Sequence, residues 1–403
     1  MGILGDVLLN TAILFFMGIF SRKAQTCVVL IDIGSSSIGG SYTVFEDGKP
    51  PTMYFNIRLP IDTREGESID TAMLRTLEDV HSYLIRDGAP SVRREIGSGH
   101  IDHVLVSVAA PWQETKVKTQ TISPGKPFTF TQNMVSDIVS GIEIPKDKVG
   151  SGESIIATIL NGYETNQPFD KVVTRVDLVI LSSTLVKEVT EKIKKSIRAS
   201  YHTSEITFTA FAPVSYAVLR DLYPHEKDFL VVDVSGEGTD VAFVKRGLLI
   251  DVGSLRQGIN ALLDSGRRAG LRSLAEEKQT ARMPMTQPGY IHPERNTAFG
   301  VQAESAEREW LQTMSALLRA FANRHALPRT LFLLADDEVR SYLKRTLNSG
   351  ALHTLWLSDS PLSIIPITPA QFLPYVQTRG LAQGDIFLSI LALYYRKQSK
   401  SKV

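Results

Sequence analysis

The sequence holds a single cysteine, Cys27, among 403 residues. No intramolecular disulfide framework or cysteine-based zinc site can form, and a reducing compartment fits. Net charge is nearly absent too: 44 Lys and Arg stand against 43 Asp and Glu, a formal +1. That balance lacks the basic excess that carries phosphate-backbone contacts, so nucleic acid is not an expected partner. The eight histidines show no ligand spacing; His100 and His103 lie three apart but lack a third ligand, and a surface loop is the expected reading. Walker A and His-Glu-x-x-His motifs are missing, and no serine–histidine nucleophile pattern stands out.

What is present begins with an apolar N-terminal stretch, Ile3–Phe20, broken by Gly5, Asp6, Asn10, Thr11 and Gly18. As a helix it would reach roughly 27 Å, borderline for crossing a bilayer. Ile3, Leu4, Val7 and Leu8 share one face, and Ser21, Arg22 and Lys23 follow the stretch. No basic residue precedes the run and no small-x-small cleavage site follows it, which argues against a secretory signal peptide. The basic flank favours the cytoplasmic side. Residues 1–24 are therefore expected to act as an interfacial membrane anchor. A spanning helix and a translation start at Met17 are the alternatives.

The rest of the chain is long enough for two or three packed domains, and it contains an internal repeat. Val28–Ile33 (VVLIDI) is a β-branched apolar run that reads as a buried strand. Asp32 sits near its end, followed by the small-residue turn Gly34-Ser35-Ser36-Ser37 with Gly39-Gly40, and then a return strand over Tyr42–Phe45. About two hundred residues later, Phe229–Val234 (FLVVDV) carries Asp233. It is followed by Ser235-Gly236-Glu237-Gly238-Thr239 and a return strand over Val241–Val244. Glycine- and serine-rich hairpins let backbone N–H groups converge on an anion. An aspartate at the end of each preceding strand can hold Mg²⁺ through water. Two such hairpins facing each other would grip the phosphates of one nucleotide.

DIGSSSIGG and DVSGEGTDVAFVKRG resemble the two phosphate loops of the actin-like ATPase superfamily, and within it those of the FtsA and PilM families. FAPVSYAVL (Phe211–Leu219) looks like the connecting helix before the second loop, and FTQNMVSDIVS (Phe130–Ser140) like the short helix of an inserted domain. The resemblance implies an α/β, actin-like two-lobe fold of duplicated ribonuclease-H-like units with a small inserted α+β domain. It places residues 25–102, 184–228 and 373–403 in the first lobe, 103–183 in the insert, which His103–Ala109 opens as a strand, and 229–372 in the second lobe. It implies ATP and Mg²⁺ as cofactors. Asp32, Gly34, Ser35, Ser36, Ser235, Gly236, Gly238, Thr239 and Gly258 would bind nucleotide, Asp32 and Asp233 would hold the metal, and Asp233 would be the catalytic residue of a weak ATPase. The function implied is a membrane-associated scaffold of the FtsA kind, cytoplasmic and peripherally attached to the inner membrane. It would self-associate and bind cytoskeletal or pilus-assembly proteins through the insert. A PilM-like adaptor of type IV pilus assembly, taking a short peptide in a groove by the insert, is the alternative. A small-molecule kinase of the same superfamily is an alternative of another class, although no general base stands out.

The departures bear on the site. Ser235 and Glu237 stand where the family usually has glycine. LRQGIN (Leu255–Asn260) keeps only Gly258 of a Gly-Gly pair, and Ala335-Asp336-Asp337 replaces a Gly-Gly turn at the adenosine loop. Carboxylates there would repel phosphates unless they turned away. Ala275–Lys278 is a loose match to the helix lining the adenine pocket. Mg²⁺-dependent ATP binding with very slow hydrolysis is expected, against the alternative of a degenerate site surviving as scaffold. Thr184–Ser200 and Ser305–Asn323 read as amphipathic helices, Met283–Ala298 as a proline-broken linker, and Ile386–Tyr395 as the last packed helix. The amphipathic C-terminal membrane helix usual in FtsA proteins has no counterpart before Val403.

Overall fold

The computed structural model describes residues 25–165, 167–262, 298–356 and 362–401. The apolar N-terminal segment, Ala275–Lys278 and residues 283–297 of the linker lie outside them.

The first unit runs β1 (Gln25–Ile33), β2 (Ser37–Glu46), β3 (Thr52–Pro60), α1 (Ile69–Tyr83), α2 (Ala89–Ile96) and β4 (His103–Val108). Ser68 caps α1, accepting from the Thr71 backbone N–H at 3.2 Å. The insert follows with β5 (Gln113–Ile122), β6 (Phe128–Phe130), α3 (Gln132–Ser140), β7 (Lys148–Leu160), β8 (Tyr163–Glu164), β9 (Lys171–Val173) and β10 (Val176–Val186). The chain returns through α4 (Lys187–Tyr201), β11 (Ile206–Ala210) and α5 (Phe211–Leu222). The second unit is β12 (Phe229–Val234), β13 (Thr239–Lys245), β14 (Leu248–Leu255), α6 (Ala298–Ala322), β15 (Thr330–Leu334), α7 (Asp337–Leu347) and β16 (Ser363–Pro366). β17 (Gln377–Thr378) and α8 (Ile386–Ser401) close the described chain.

The repeat seen in sequence is a repeat of topology. The first sheet is ordered β11-β4-β1-β2-β3-β17 and the second β16-β15-β12-β13-β14. In each, a three-stranded antiparallel meander is extended by parallel strands on the side of its first member. The long apolar runs follow from burial on both faces. In β1, Val29, Ile31 and Ile33 face the core under α1 and α4, while Val28 and Leu30 face a central core shared with α5 and α8. In β12, Leu230, Val232 and Val234 face the core holding Trp310 and Phe321 of α6, while Phe229 and Val231 join the central core. The period of two puts alternate residues on opposite sides, so α5 and α8 are sandwiched between the two sheets. The fold is thus α/β, actin-like and two-lobed.

The insert has its own small core: Phe130, Leu160, Val173, Val176, Leu178 and Ile180. Its sheet is antiparallel, β5-β10-β7-β8. One boundary differs from expectation. His103–Val108 does not open the insert; it pairs in parallel with β1, Val28 opposite His103, inside the first lobe's sheet. An apolar run of this kind reads alike in either domain, and only its pairing partner decides its place. Thr184–Val186 likewise extends β10, and the helix begins at Lys187. Gly39 and Gly40, expected in the turn, lie in β2. A Cβ on Gly39 would come within 2.5 Å of the Arg58 guanidinium, so the glycine makes room for that side chain.

Candidate functional site

The two small-residue turns face each other between the lobes. The first closes through Gly34 N–H to the Ser37 carbonyl at 3.1 Å, the second through Ser235 N–H to the Gly238 carbonyl at 2.9 Å. Instead of flanking a gap, they touch. The Ser35 backbone N–H donates to Ser235 Oγ at 2.8 Å, and the Ser35 hydroxyl donates to the same oxygen at 3.0 Å. The Glu237 backbone N–H donates to Ser35 Oγ at 2.8 Å. A Cβ on Gly236 would lie 2.4 Å from the Ser35 carbonyl oxygen, which measures how closely the two backbones approach. Gly258 packs in the same manner beneath the second turn, where a Cβ would sit 2.2 Å from the Ser235 carbonyl oxygen. Ile259 and Asn260 N–H groups then donate to the carbonyls of Ser235 and Gly236, at 2.9 and 3.0 Å.

Asp32, expected to face a metal, is committed elsewhere. Its Oδ1 accepts from Ser107 at 2.7 Å and its Oδ2 from Arg58 Nη2 at 3.0 Å. Arg58 also donates from Nε to Asp385 at 2.7 Å and from Nη1 to Ser37 Oγ at 3.0 Å. Burial raises the Asp32 carboxyl above its usual range, with Arg58 and Ser107 opposing. Burial works against the Arg58 charge, but Asp385 and Asp32 outweigh it, and the guanidinium is held charged.

Asp233 is buried at the end of β12, and its carboxyl is raised well above the usual range. Burial is the main cause, and the charges of Asp240, Asp32 and Asp336 add to it. Thr239, expected to offer its hydroxyl to phosphate, donates it to the Gln257 carbonyl at 2.8 Å and accepts from Trp310 Nε1 at 3.2 Å. The Glu237 side chain accepts from Asn260 at 2.8 Å.

Asp336 does not turn away from the loops. It holds the N-cap position of α7 but makes no side-chain cap to its own helix. Its carboxylate accepts from Ser36 Oγ at 2.8 Å and from Ser37 Oγ at 3.2 Å, across the cleft. Ser36 is thereby taken up by a protein carboxylate where a phosphate was expected.

All the sequence-predicted residues therefore meet at one place. The structure adds Arg58, Ser107, Asp336 and Asp385, which motif reasoning passed over or read differently. Arg58 stands in an alternating strand with no motif around it. Asp385 had a readable signal, an acid just before an apolar helix, and it does cap α8 through the Leu388 N–H at 2.9 Å.

A magnesium nucleotide, which the superfamily resemblance implies, does not fit this arrangement. The Ser35 N–H and hydroxyl are spent on Ser235, the Ser36 and Ser37 hydroxyls on Asp336, the Asp32 oxygens on Arg58 and Ser107, and the turns are in hydrogen-bond contact. Among the described residues no cluster of three His, Cys, Asp or Glu side chains is placed to hold a metal.

No family model matches the chain, and no curated protein matches it. Solved structures do. One from a PilM–PilN type IV pilus biogenesis complex is 14% identical with a TM-score of 0.60, covering 93% of this chain and 98% of the other. An actin-like ATPase-fold protein of unknown function from Bacteroides thetaiotaomicron is 9% identical, TM-score 0.42, over 92% and 97%. The ethanolamine utilization protein EutJ from Carboxydothermus hydrogenoformans is 12% identical, TM-score 0.40, over 93% and 90%. Identities this low speak to fold. The chain has the actin-like ATPase fold, shared over nearly its whole length with PilM.

Proposed function

We propose that the chain is a PilM-like adaptor of type IV pilus assembly that takes a short peptide of a pilus partner in a groove beside its insert. The observation that carries the reading is a cavity of about 680 Å³ where the insert meets the first lobe. Ser151 and Gly152 of β7, Thr207 and Thr209 of β11, and Tyr394 and Tyr395 of α8 line it. β11 is the edge strand of the first sheet, and the first half of β7 is strand-paired on one side only, by β10. Edge strands offer unpaired backbone groups to an extended segment, and the threonines and tyrosines supply polar and aromatic contacts for its side chains. The insert also exposes Tyr163 (80% exposed) and Val172 (69%) away from its core, a further contact surface for partners or second copies. In this reading the protein works at the cytoplasmic face of the inner membrane, with residues 1–24 as its attachment.

Peptides tiled across a PilN-type partner, titrated by fluorescence anisotropy, test the reading. One stretch should bind wild-type protein saturably and lose at least about tenfold in affinity to Thr209→Arg, which fills the groove. Binding that ignores this substitution, or no binding by any peptide, would overturn it.

A further inference from the structure

The cleft between the lobes contains a continuous polar network. It runs from Asp385 through Arg58 to Asp32 and Ser107, and from Arg58 through Ser37 to Asp336 and Ser36. Beside it lie the Ser35–Ser235 hydrogen bonds. Ser35, Ser36 and Ser37 belong to the first lobe; Ser235, Glu237 and Asp336 belong to the second. Every bond between those two sets ties lobe to lobe.

The chemistry of the network matches what it displaces. A nucleotide would bring anionic oxygens to the serine hydroxyls of the first turn, and Asp336 already does so. A magnesium ion would bring positive charge to the Asp32 carboxylate, and Arg58 already does so. Two details show that this is built rather than incidental. Asp336 leaves the first-turn N–H groups of its own helix, the usual partners of an N-cap aspartate, to reach across the cleft. Gly39 lacks the Cβ that would collide with the Arg58 guanidinium. Ser235, standing where the family usually has glycine, fills the remaining gap with a hydroxyl that accepts both Ser35 donors.

We propose that this chain closes its two lobes with its own side chains, Asp336 standing for the phosphate and Arg58 for the cation, so that closure requires no magnesium nucleotide. The protein is then a constitutively closed joint instead of a nucleotide-switched one. Its partner surface at the insert is presented without an ATP cycle. The inference is independent of the identity of the pilus partner.

Hydrogen exchange by mass spectrometry on the whole protein tests it. In the wild type, peptides covering residues 34–37 and 235–239 should be protected without nucleotide. Millimolar ATP with Mg²⁺ should change neither that protection nor the melting temperature. Asp336→Ala should speed exchange in both peptides by about tenfold or more, because hydrogen bonds to a charged group are lost. β1 and β12 peptides should stay as slow as in the wild type, and ATP with Mg²⁺ should not restore the loops. Ser235→Ala, which removes the acceptor of the Ser35 N–H, should loosen the same two peptides by a smaller factor and serves if Asp336→Ala fails to fold. Saturable protection or a raised melting temperature on adding ATP and Mg²⁺ to the wild type would overturn the proposal. So would loop exchange unchanged in both variants.

Discussion

Arg58→Met asks how much the cleft depends on its internal cation. The Arg58 side chain is 19% exposed, and its two carboxylate partners are nearly buried, Asp32 at 4% and Asp385 at 9%. Methionine keeps most of the volume and removes the guanidinium, which leaves Asp32 and Asp385 in place without their cation. Breaking a buried pair on one side costs about 3–5 kcal/mol, mostly as the penalty of the charge left behind. At roughly 2–4 °C per kcal/mol for domains of 150–250 residues, the melting temperature should fall by on the order of 10 °C. The deficit carries a pH signature. Burial already raises the Asp32 carboxyl while Arg58 opposes; without Arg58 it rises further. A group raised in the folded state keeps its stabilising contribution at low pH and loses it as pH climbs through the folded value. The deficit should therefore be larger near about pH 8 than near about pH 5. Urea unfolding of both proteins at the two pH values measures this. Asp32→Asn combined with Arg58→Met should cost less than the sum of the single changes, by about 1 kcal/mol or more. A deficit under about 1 kcal/mol at both pH values would refute the assignment of Arg58 as the charge-compensating group.

The remaining predictions concern other parts of the molecule. His81 is buried, bonded to Tyr201 through Nδ1 at 2.9 Å, and burial lowers its pKa to about 4. It must stay neutral in the fold, so stability should be intact above its unfolded pKa of roughly 6.5 and fall by about 3 kcal/mol as pH drops from there to about 4; in His81→Gln that part of the slope should vanish from melts taken across the range. Phe130 is fully buried at the centre of the insert's core, and Phe130→Ala should cost roughly 3–5 kcal/mol. Because that core is separate, hydrogen exchange should quicken in residues 113–183 and stay slow in β1 and β12; uniform quickening would mean that insert and lobes unfold as one unit. For the membrane, full-length protein should co-sediment with anionic liposomes and a chain starting at Lys23 should not; equal sedimentation of the two removes the anchor.

The sequence by itself determined what is local. VVLIDI and FLVVDV announce two buried strands, because a β-branched apolar run needs no distant partner to be recognised. The small-residue turns after Asp32 and Asp233 announce two like hairpins, and their recurrence announces a duplicated fold. The four-residue spacing of Val189, Ile193 and Ile197 marks a helix face whose boundary moved by only a few residues. Only the tertiary structure decided what is non-local. His103–Val108 carries no mark of which sheet it joins; its register against β1 does that. Arg58 is one polar residue in a strand until folding sets it between Asp32 and Asp385, the second of them 327 residues further along the chain. Asp336 reads as part of a short acidic turn, and its reach to Ser36, 300 residues earlier, exists only because two lobes meet. The same side chains that spell a phosphate site along the chain satisfy one another across the cleft. Hydrogen-bonding capacity is a property of residue type, whereas the partner that satisfies it is a property of the packed fold.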